Sequence, residues 1–286
     1  MNKSVILKNL LNSGKTLIMP DVYNPISAKL VEKEKFKAIQ CSGYSFSIAS
    51  GYPIENDVTL SENLEWTRKI VESVDIPVMA DGEDGYGGPE KVIDTIKKFI
   101  QTGVAGINLE DQILDRKTKV SVINEDLMTQ KIMFTRETAE VEGNPNFIIN
   151  ARTDALRSTE DRSEGLKIAI SRANQYIESG ADIAFITYVE TMDEVKVISR
   201  EVKGPISIAA GMPYNIENFS INDLKKQGIA RISLPTLLIL SSLSAIRKSL
   251  KSINEDNMLK TPTNEFLYPI QDLNSLLKKS GYWPNL

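Results

Sequence analysis

The stretch Val78-Met79-Ala80-Asp81-Gly82-Glu83-Asp84-Gly85-Tyr86-Gly87-Gly88 sets three carboxylates at the end of a short apolar run. Carboxylates at i and i+2 leaving one strand end can converge on a hard cation. The glycines around them let the backbone turn sharply and approach a ligand closely. Three such charges repel one another unless a cation or solvent relieves them. The run therefore reads as half of a site, and the other half must come from elsewhere in the chain.

The composition narrows the chemistry. The chain has 286 residues and no histidine, which excludes every Ser-His or Cys-His nucleophile pair and every histidine-containing zinc site. A metal must sit on oxygen ligands, which points to Mg2+ or Mn2+. Acid–base work falls to carboxylates, Lys, Tyr, Cys or water. Cys41 is the single cysteine. It forms no intrachain disulfide and, inside a predicted strand, reads as a small buried hydrophobe. A net charge of −4 offers no basic field for nucleic acid or anionic lipid. Residues 232–246, the longest uncharged apolar-rich stretch, contain Pro235 and fall short of the roughly 18 residues of a membrane span. The N-terminus carries no secretory apolar core, so the expected location is cytoplasmic, with neither nucleic acid nor membrane as partner.

The elements that must position the carboxylates follow from the apolar pattern. Short apolar runs at 16–20, 38–43, 77–81, 106–110, 147–150, 182–187, 205–210 and 231–235 alternate with amphipathic segments at 26–36, 61–74, 89–102, 124–142, 159–179, 191–202, 220–227 and 236–252. Strand–helix alternation predicts parallel βαβ units. Eight of them predict a closed (β/α)8 TIM-like barrel, a fold of about 250 residues, occupying residues 1–252. Gly103, Gly180 and Gly228 each end a helix shortly before a strand, as a left-handed C-terminal glycine does. Residues 253–286 form a tail with a short helix at 269–279, packed on the barrel or on a partner subunit.

In such a barrel all strand carboxyl ends share one face, where chemistry sits. Those ends read Pro20-Asp21-Val22-Tyr23-Asn24, Ser42-Gly43-Tyr44, Asp81-Gly82-Glu83, Glu110-Asp111, Asn150-Ala151-Arg152-Thr153-Asp154, Thr187 and Ala210-Gly211. Taken singly, Glu110-Asp111 is read equally as the cap of the next helix, and Arg152 with Asp154 as a structural ion pair. Taken together they ring one mouth with acids and one arginine. A divalent cation fits the acids, an arginine fork fits a carboxylate or phosphonate, and the backbone amides at Ser42-Gly43 fit an anion.

These residues resemble the isocitrate lyase and phosphoenolpyruvate mutase superfamily. The matching motifs are Met19-Pro20-Asp21-Val22-Tyr23, Cys41-Ser42-Gly43, Ala80-Asp81-Gly82-Glu83-Asp84-Gly85-Tyr86-Gly87, Gly106-Ile107-Asn108-Leu109-Glu110-Asp111-Gln112, Asn150-Ala151-Arg152-Thr153-Asp154-Ala155 and Ser179-Gly180-Ala181-Asp182. The resemblance implies a (β/α)8 barrel whose last helix is exchanged between subunits of a homodimer or homotetramer. It implies Mg2+ held by Asp81 directly, with Glu83 and Glu110 acting through water. A 2-oxo acid or phosphonate substrate would meet the backbone at Ser42-Gly43, and Arg152 would hold its second anionic group; Tyr44, next in the chain, is a substrate-binding candidate by its position alone. The shared chemistry is stabilisation of a pyruvate enolate.

Departures from the family shape the choice of reaction. The isocitrate and methylisocitrate lyases carry a Lys-Arg-Cys-Gly-His block after strand four. Here the loop reads Asp115-Arg116-Lys117-Thr118-Lys119-Val120-Ser121, without cysteine or histidine, which argues against those two activities. Arg116 and Thr118 stand where mutases place lysine and asparagine, nearer the phosphonopyruvate hydrolase pattern. Ile54 replaces an aspartate found in many relatives, and Glu55 and Asp57 are left out of the expected site. The expected enzyme is a Mg2+-dependent C–C lyase or decarboxylase of a small 2-oxo or 2-hydroxy dicarboxylate, with Arg152, Tyr44 and Lys119 as catalytic candidates. Two alternatives stay open: C–P chemistry, as phosphoenolpyruvate phosphomutase or phosphonopyruvate hydrolase, and a catalytically idle 2-oxo acid binding protein.

Overall fold

The computed structural model describes residues 2–113, 120–255 and 267–277. Eight parallel strands close on themselves in chain order: β1 (Leu17–Val22), β2 (Ile39–Cys41), β3 (Val78–Asp81), β4 (Gly106–Glu110), β5 (Ile148–Thr153), β6 (Ile183–Ile186), β7 (Ile206–Ala209) and β8 (Arg231–Leu234). Every apolar run named above carries one of them. Six of the eight strands are buried at every residue, and β1 and β5 leave only Ile18 and Arg152 partly accessible, since a helix layer outside and packed side chains inside leave a barrel strand no wet face. Gly103, Gly180 and Gly228 all have positive φ.

Two strands run further than their apolar runs. β1 continues to Val22 and β5 to Thr153, because each finds a ladder partner there: Val22 pairs with Cys41 and Arg152 pairs with Glu110. Arg152 is thus a strand residue, rigidly facing Glu110. The run 38–43 is shorter than expected as a strand. It stops at Cys41, and Ser42 becomes the N-cap of an unpredicted helix, α3 (Gly43–Ser50), accepting the Ser45 amide. That helix has no charged residue in GYSFSIAS and buries Gly43, Ser45, Phe46 and Ser47, so it lacks the polar stripe by which amphipathic helices are recognised. Another unpredicted helix, α1 (Lys3–Leu11), packs Leu7 and Leu11 against Leu17, Ala38, Ala105, Ile148 and Ile183 at the starts of the strands.

Helices α2 (Pro25–Lys33), α4 (Leu60–Val71), α5 (Pro89–Gln101), α6 (Glu125–Val141), α7 (Arg162–Glu178), α8 (Met192–Glu201), α9 (Ile221–Lys226) and α10 (Leu237–Asn254) fill the outer layer. A last helix, α11 (Ile270–Leu277), lies beside α2, burying Leu276, with Lys33 donating to the Tyr268 hydroxyl. In α10 only Ile239 is buried, while Leu240, Leu243, Ile246, Leu250 and Ile253 are exposed along it. Between α10 and α2 lies a cavity of about 320 Å3 lined by apolar groups such as Tyr23, Ile26, Leu30 and Leu238. Among the described residues no helix is long and apolar enough to cross a membrane.

Asp21, fully buried, ties three of these elements together. Its carboxylate accepts the Ser45 hydroxyl of α3 at 2.6 Å and the Thr236 amide at the start of α10 at 2.8 Å. Burial pushes its carboxyl up to about 6.

Candidate active site

Four carboxylates converge at the open end of β2, β3 and β4. Asp81 ends β3, Glu83 follows two residues later, Glu110 ends β4, and Glu55 arrives on a one-turn 3-10 helix, Glu55–Asp57. Oxygen atoms of Glu55, Asp81 and Glu83 all lie within 4.8 Å of one another. Both Glu83 oxygens are buried without a hydrogen-bond partner among the described residues. Gly43 makes this approach possible, because a Cβ there would overlap the Glu83 carboxylate. Burial, then the charges of Glu55, Asp81 and Glu110, raise the Glu83 carboxyl well above its ordinary range. Glu55 is likewise raised to about 7 by burial and by Asp81. Buried carboxylates that crowd one another, with two oxygens unpartnered, form a donor set that a divalent cation would satisfy.

The turn that carries them is braced on its far side. Asn63 donates to the Asp81 carbonyl at 2.9 Å and to the Tyr86 hydroxyl at 2.8 Å. Asp84 points away from the cluster, accepting the Tyr86 amide at 2.8 Å, with Lys131 3.8 Å from its carboxylate. Glu83 and Tyr86 both have positive φ, an unfavourable conformation for residues with a Cβ that the bracing maintains.

Three parts of the expected site are engaged with the protein's own groups. The amides of the Ser42-Gly43 turn do not form an open anion cradle. Gly43 N–H donates to Asp81 at 2.9 Å, and the Tyr44 amide bonds to Glu55. The N-terminus of α3 therefore holds the protein's own carboxylates, which its N–H groups and dipole favour. Glu110 stands outside the three clustered acids, with Arg152 Nη1 2.5 Å from its carboxylate and both its oxygens buried without a hydrogen-bond partner among the described residues. Arg152 itself is already engaged: Nε and Nη2 fork onto Asp154 at 2.8 and 2.9 Å, and Nη2 also reaches Gln112 at 3.1 Å. Burial would lower its pKa, but Asp154 and Glu110 hold it well above the ordinary arginine value.

Around these groups is a pocket of about 290 Å3. Ser42, Tyr44, Glu55, Asp81 and Arg152 line it, together with Tyr188 and Tyr214. The Tyr44 side chain is half exposed at its mouth. Lys119, Arg116 and Thr118 lie outside the described residues. Glu55 was within reach of the sequence as an acid just after Gly51-Tyr52-Pro53, but its register is set by the 3-10 turn. Thr187 donates to Asp154 at 2.6 Å, keeping that carboxylate on Arg152. Asp111 caps no helix. It is a fully buried hub taking the Thr153 and Tyr176 hydroxyls, both at 2.7 Å, and Arg172 at 3.1 Å. Cys41 is buried, its thiol pushed up to about 12 by desolvation, which suits the inert reading.

Comparisons with known proteins agree with the geometry. The chain is 32% identical over 207 residues to 2,3-dimethylmalate lyase of Eubacterium barkeri, covering 71% of this chain and 70% of that protein. It is 28% identical over 256 residues to 2-methylisocitrate lyase of Aeropyrum pernix, covering 90% and 81%. Its fold matches that of phosphonopyruvate hydrolase in complex with oxalate and Mg2+ with a TM-score of 0.85, at 23% identity over 97% of this chain and 95% of that one. The model of the phosphoenolpyruvate phosphomutase family matches residues 7–254. With that match spanning the whole barrel, this chain belongs to the phosphoenolpyruvate phosphomutase family, within the isocitrate lyase and phosphoenolpyruvate mutase superfamily.

Proposed function

We propose that the chain is a Mg2+-dependent lyase that cleaves a C–C bond of a small 2-oxo or 2-hydroxy dicarboxylate, leaving the electron pair of that bond on an enolate. The observation that carries this reading is the cluster of Glu55, Asp81 and Glu83 with both Glu83 oxygens unpartnered. Asp81, Glu83 and Glu55 would hold the ion, with Glu110 beside them. Mn2+ suits the same oxygen set. When bound, the cation supplies a Lewis acid that chelates the 2-oxo or 2-hydroxy acid and offsets the negative charge developing on it.

The chain's own residues do the rest. Gly43 N–H and the Tyr44 amide orient Asp81 and Glu55 toward the pocket. Arg152 keeps Glu110 and Asp154 from repelling the anionic ligand and lines the pocket that would receive it. Tyr44, at the mouth, is placed to exchange a proton with solvent or substrate. Lys119 remains a candidate for the same work by its place in the sequence. The absence of cysteine and histidine from residues 111–124 sets the chain apart from the isocitrate-cleaving relatives.

The exposed apolar row on α10 supports a homodimer or homotetramer in which this helix is exchanged between copies. The single cysteine supports a cytoplasmic location. Turnover with Mg2+ across oxaloacetate, alkylated malates and phosphonopyruvate tests the function. Cleavage of a dicarboxylate is the expected result. Turnover of phosphonopyruvate alone would give C–P chemistry instead, and oxalate binding with no turnover would leave a binding protein.

A further inference from the structure

The pocket is two-sided. Carboxylates, Arg152 and polar side chains line the side reached from β2 to β5, whereas Phe185, Tyr188, Ala209, Met212, Tyr214 and Pro235 make the side reached from β6, β7 and β8 mainly apolar, with Thr187, Ser233 and Thr236 among them.

That wall is held firmly from behind. Tyr188 has φ 60°, unfavourable for a residue with a Cβ. Its carbonyl accepts Arg162 Nη2 at 2.6 Å, and Arg162 forks onto Glu194 at 2.7 and 3.0 Å. The Arg157 guanidinium lies 4.5 Å from the Tyr188 ring centroid and 5.3 Å from that of Tyr214, and the two rings are 5.8 Å apart. Glu190 accepts Arg157 Nη2 at 2.8 Å. Asn215, buried, donates to Val189 and Ala209 carbonyls at 2.9 Å and accepts the Met212 amide at 3.1 Å. It fixes the loop bearing Met212 and Tyr214 to β7 and to the loop after β6.

Charge points the same way. Arg152 is the one cation among the described residues lining the pocket, and Asp154 and Glu110 already neutralise it. A phosphonate dianion packed against these rings would lose its hydration there. An alkyl group there would instead bury against the rings.

We propose that Tyr188 and Tyr214, clamped by Arg157, are the specificity-determining wall of this pocket, selecting a small 2-oxo or 2-hydroxy acid with alkyl substituents beyond its chelating end and disfavouring a phosphonate there, a selection that rests on the metal-site reading above. Competition against Mg2+-dependent oxalate binding, followed by calorimetry, needs no turnover. For the wild type, affinity rises along pyruvate, 2-oxobutanoate and 3-methyl-2-oxobutanoate by about four-fold per added carbon, from the free energy of burying a methylene, and phosphonopyruvate binds more weakly than the branched acid. In Tyr188→Ala and Tyr214→Ala the gain drops to about two-fold per carbon or less. Arg157→Gln, which leaves both rings in place, gives an intermediate gradient and covers the case of a tyrosine variant that does not fold. A flat gradient in the wild type, an unchanged gradient in the variants, or tightest binding by phosphonopyruvate would overturn the wall. If wild type bound no oxalate with Mg2+, the metal site itself would be wrong and the wall would go with it.

Discussion

Two arginines lie on the strands of this barrel, and their surroundings differ in one respect. Arg152, on β5, meets two carboxylates, Asp154 and Glu110. Arg231, on β8, is fully buried and meets none. Its guanidinium donates to Gln40 and to the Ser207 hydroxyl at 2.9 Å, lies 3.3 Å from the Met19 sulfur, and faces the Phe185 ring at 5.6 Å. Their pKa values move oppositely. Arg152 is held up by its anions, and Arg231 falls to about 9 through burial, partly restored by the charge of Asp81. The mouth thus carries surplus negative charge while the interior beneath it carries an unpaired positive one. Gln40, which accepts from Arg231, and Ser233, which bonds Gln40, also line the pocket. A cation entering the mouth meets carboxylates that one arginine only partly neutralises.

The comparison can be broken most sharply at Arg152. Arg152→Met leaves Asp154 and Glu110 uncompensated beside the ligand, and kcat/KM should fall about 10^2- to 10^3-fold. Activity within ten-fold of wild type would show that the fork does not serve the reaction. Urea unfolding without metal separates the two arginines by stability. Removing Arg152 should cost about 3–5 kcal/mol, since buried carboxylates lose their partner. Arg231→Met should cost about 1–3 kcal/mol, since it strands only neutral acceptors. A reversed order would undo the contrast.

Acidity gives a third test. Asp81, Glu83, Glu110 and Glu55 have folded pKa values raised by burial, Glu55 to about 7. For such groups the native state binds more protons than the unfolded one, so their contribution is fully present below the unfolded carboxylate range and is lost as pH rises through the folded values. The Tm of chelator-treated protein should therefore fall between pH 5 and pH 8, and saturating Mg2+ should flatten that slope. A slope unaffected by Mg2+ would separate these acids from the metal. The smallest effect is expected at Glu55→Gln. Mg2+ affinity should weaken about ten-fold, and metal-free Tm should rise at neutral pH as one repelling charge is removed.

Much of this was legible before folding, and the reason is geometric. A parallel barrel gathers every strand end onto one rim, so Asp81, Glu83, Glu110 and Arg152 could be brought together without knowing any side-chain contact. What escaped depends on local bonding. α3 carries no charged residue, so no stripe marks it even though Tyr44, Ala49 and Ser50 are exposed, and its first amides bond Asp81 and Glu55, which spacing alone does not report. Glu55 enters through a single 3-10 turn, whose register no periodicity reports. The pairing of Glu110 with Arg152 follows from a β4–β5 register that extends past the apolar run marking the strand. Tyr188 faces the pocket in a backbone conformation that few tyrosines adopt.

Asp21 has a consequence at the level of assembly. One carboxylate oxygen grips both Ser45 in α3 and the amide of Thr236, where α10 begins. Any tilt or departure of α10 is transmitted through that oxygen to the helix whose first amides hold Asp81 and Glu55. The same bond must be felt in reverse, so whatever stiffens α3 also favours one placement of α10. Under the proposed exchange of α10 between copies, subunit association and cation affinity would be linked quantities, each strengthening or weakening the other by the same factor.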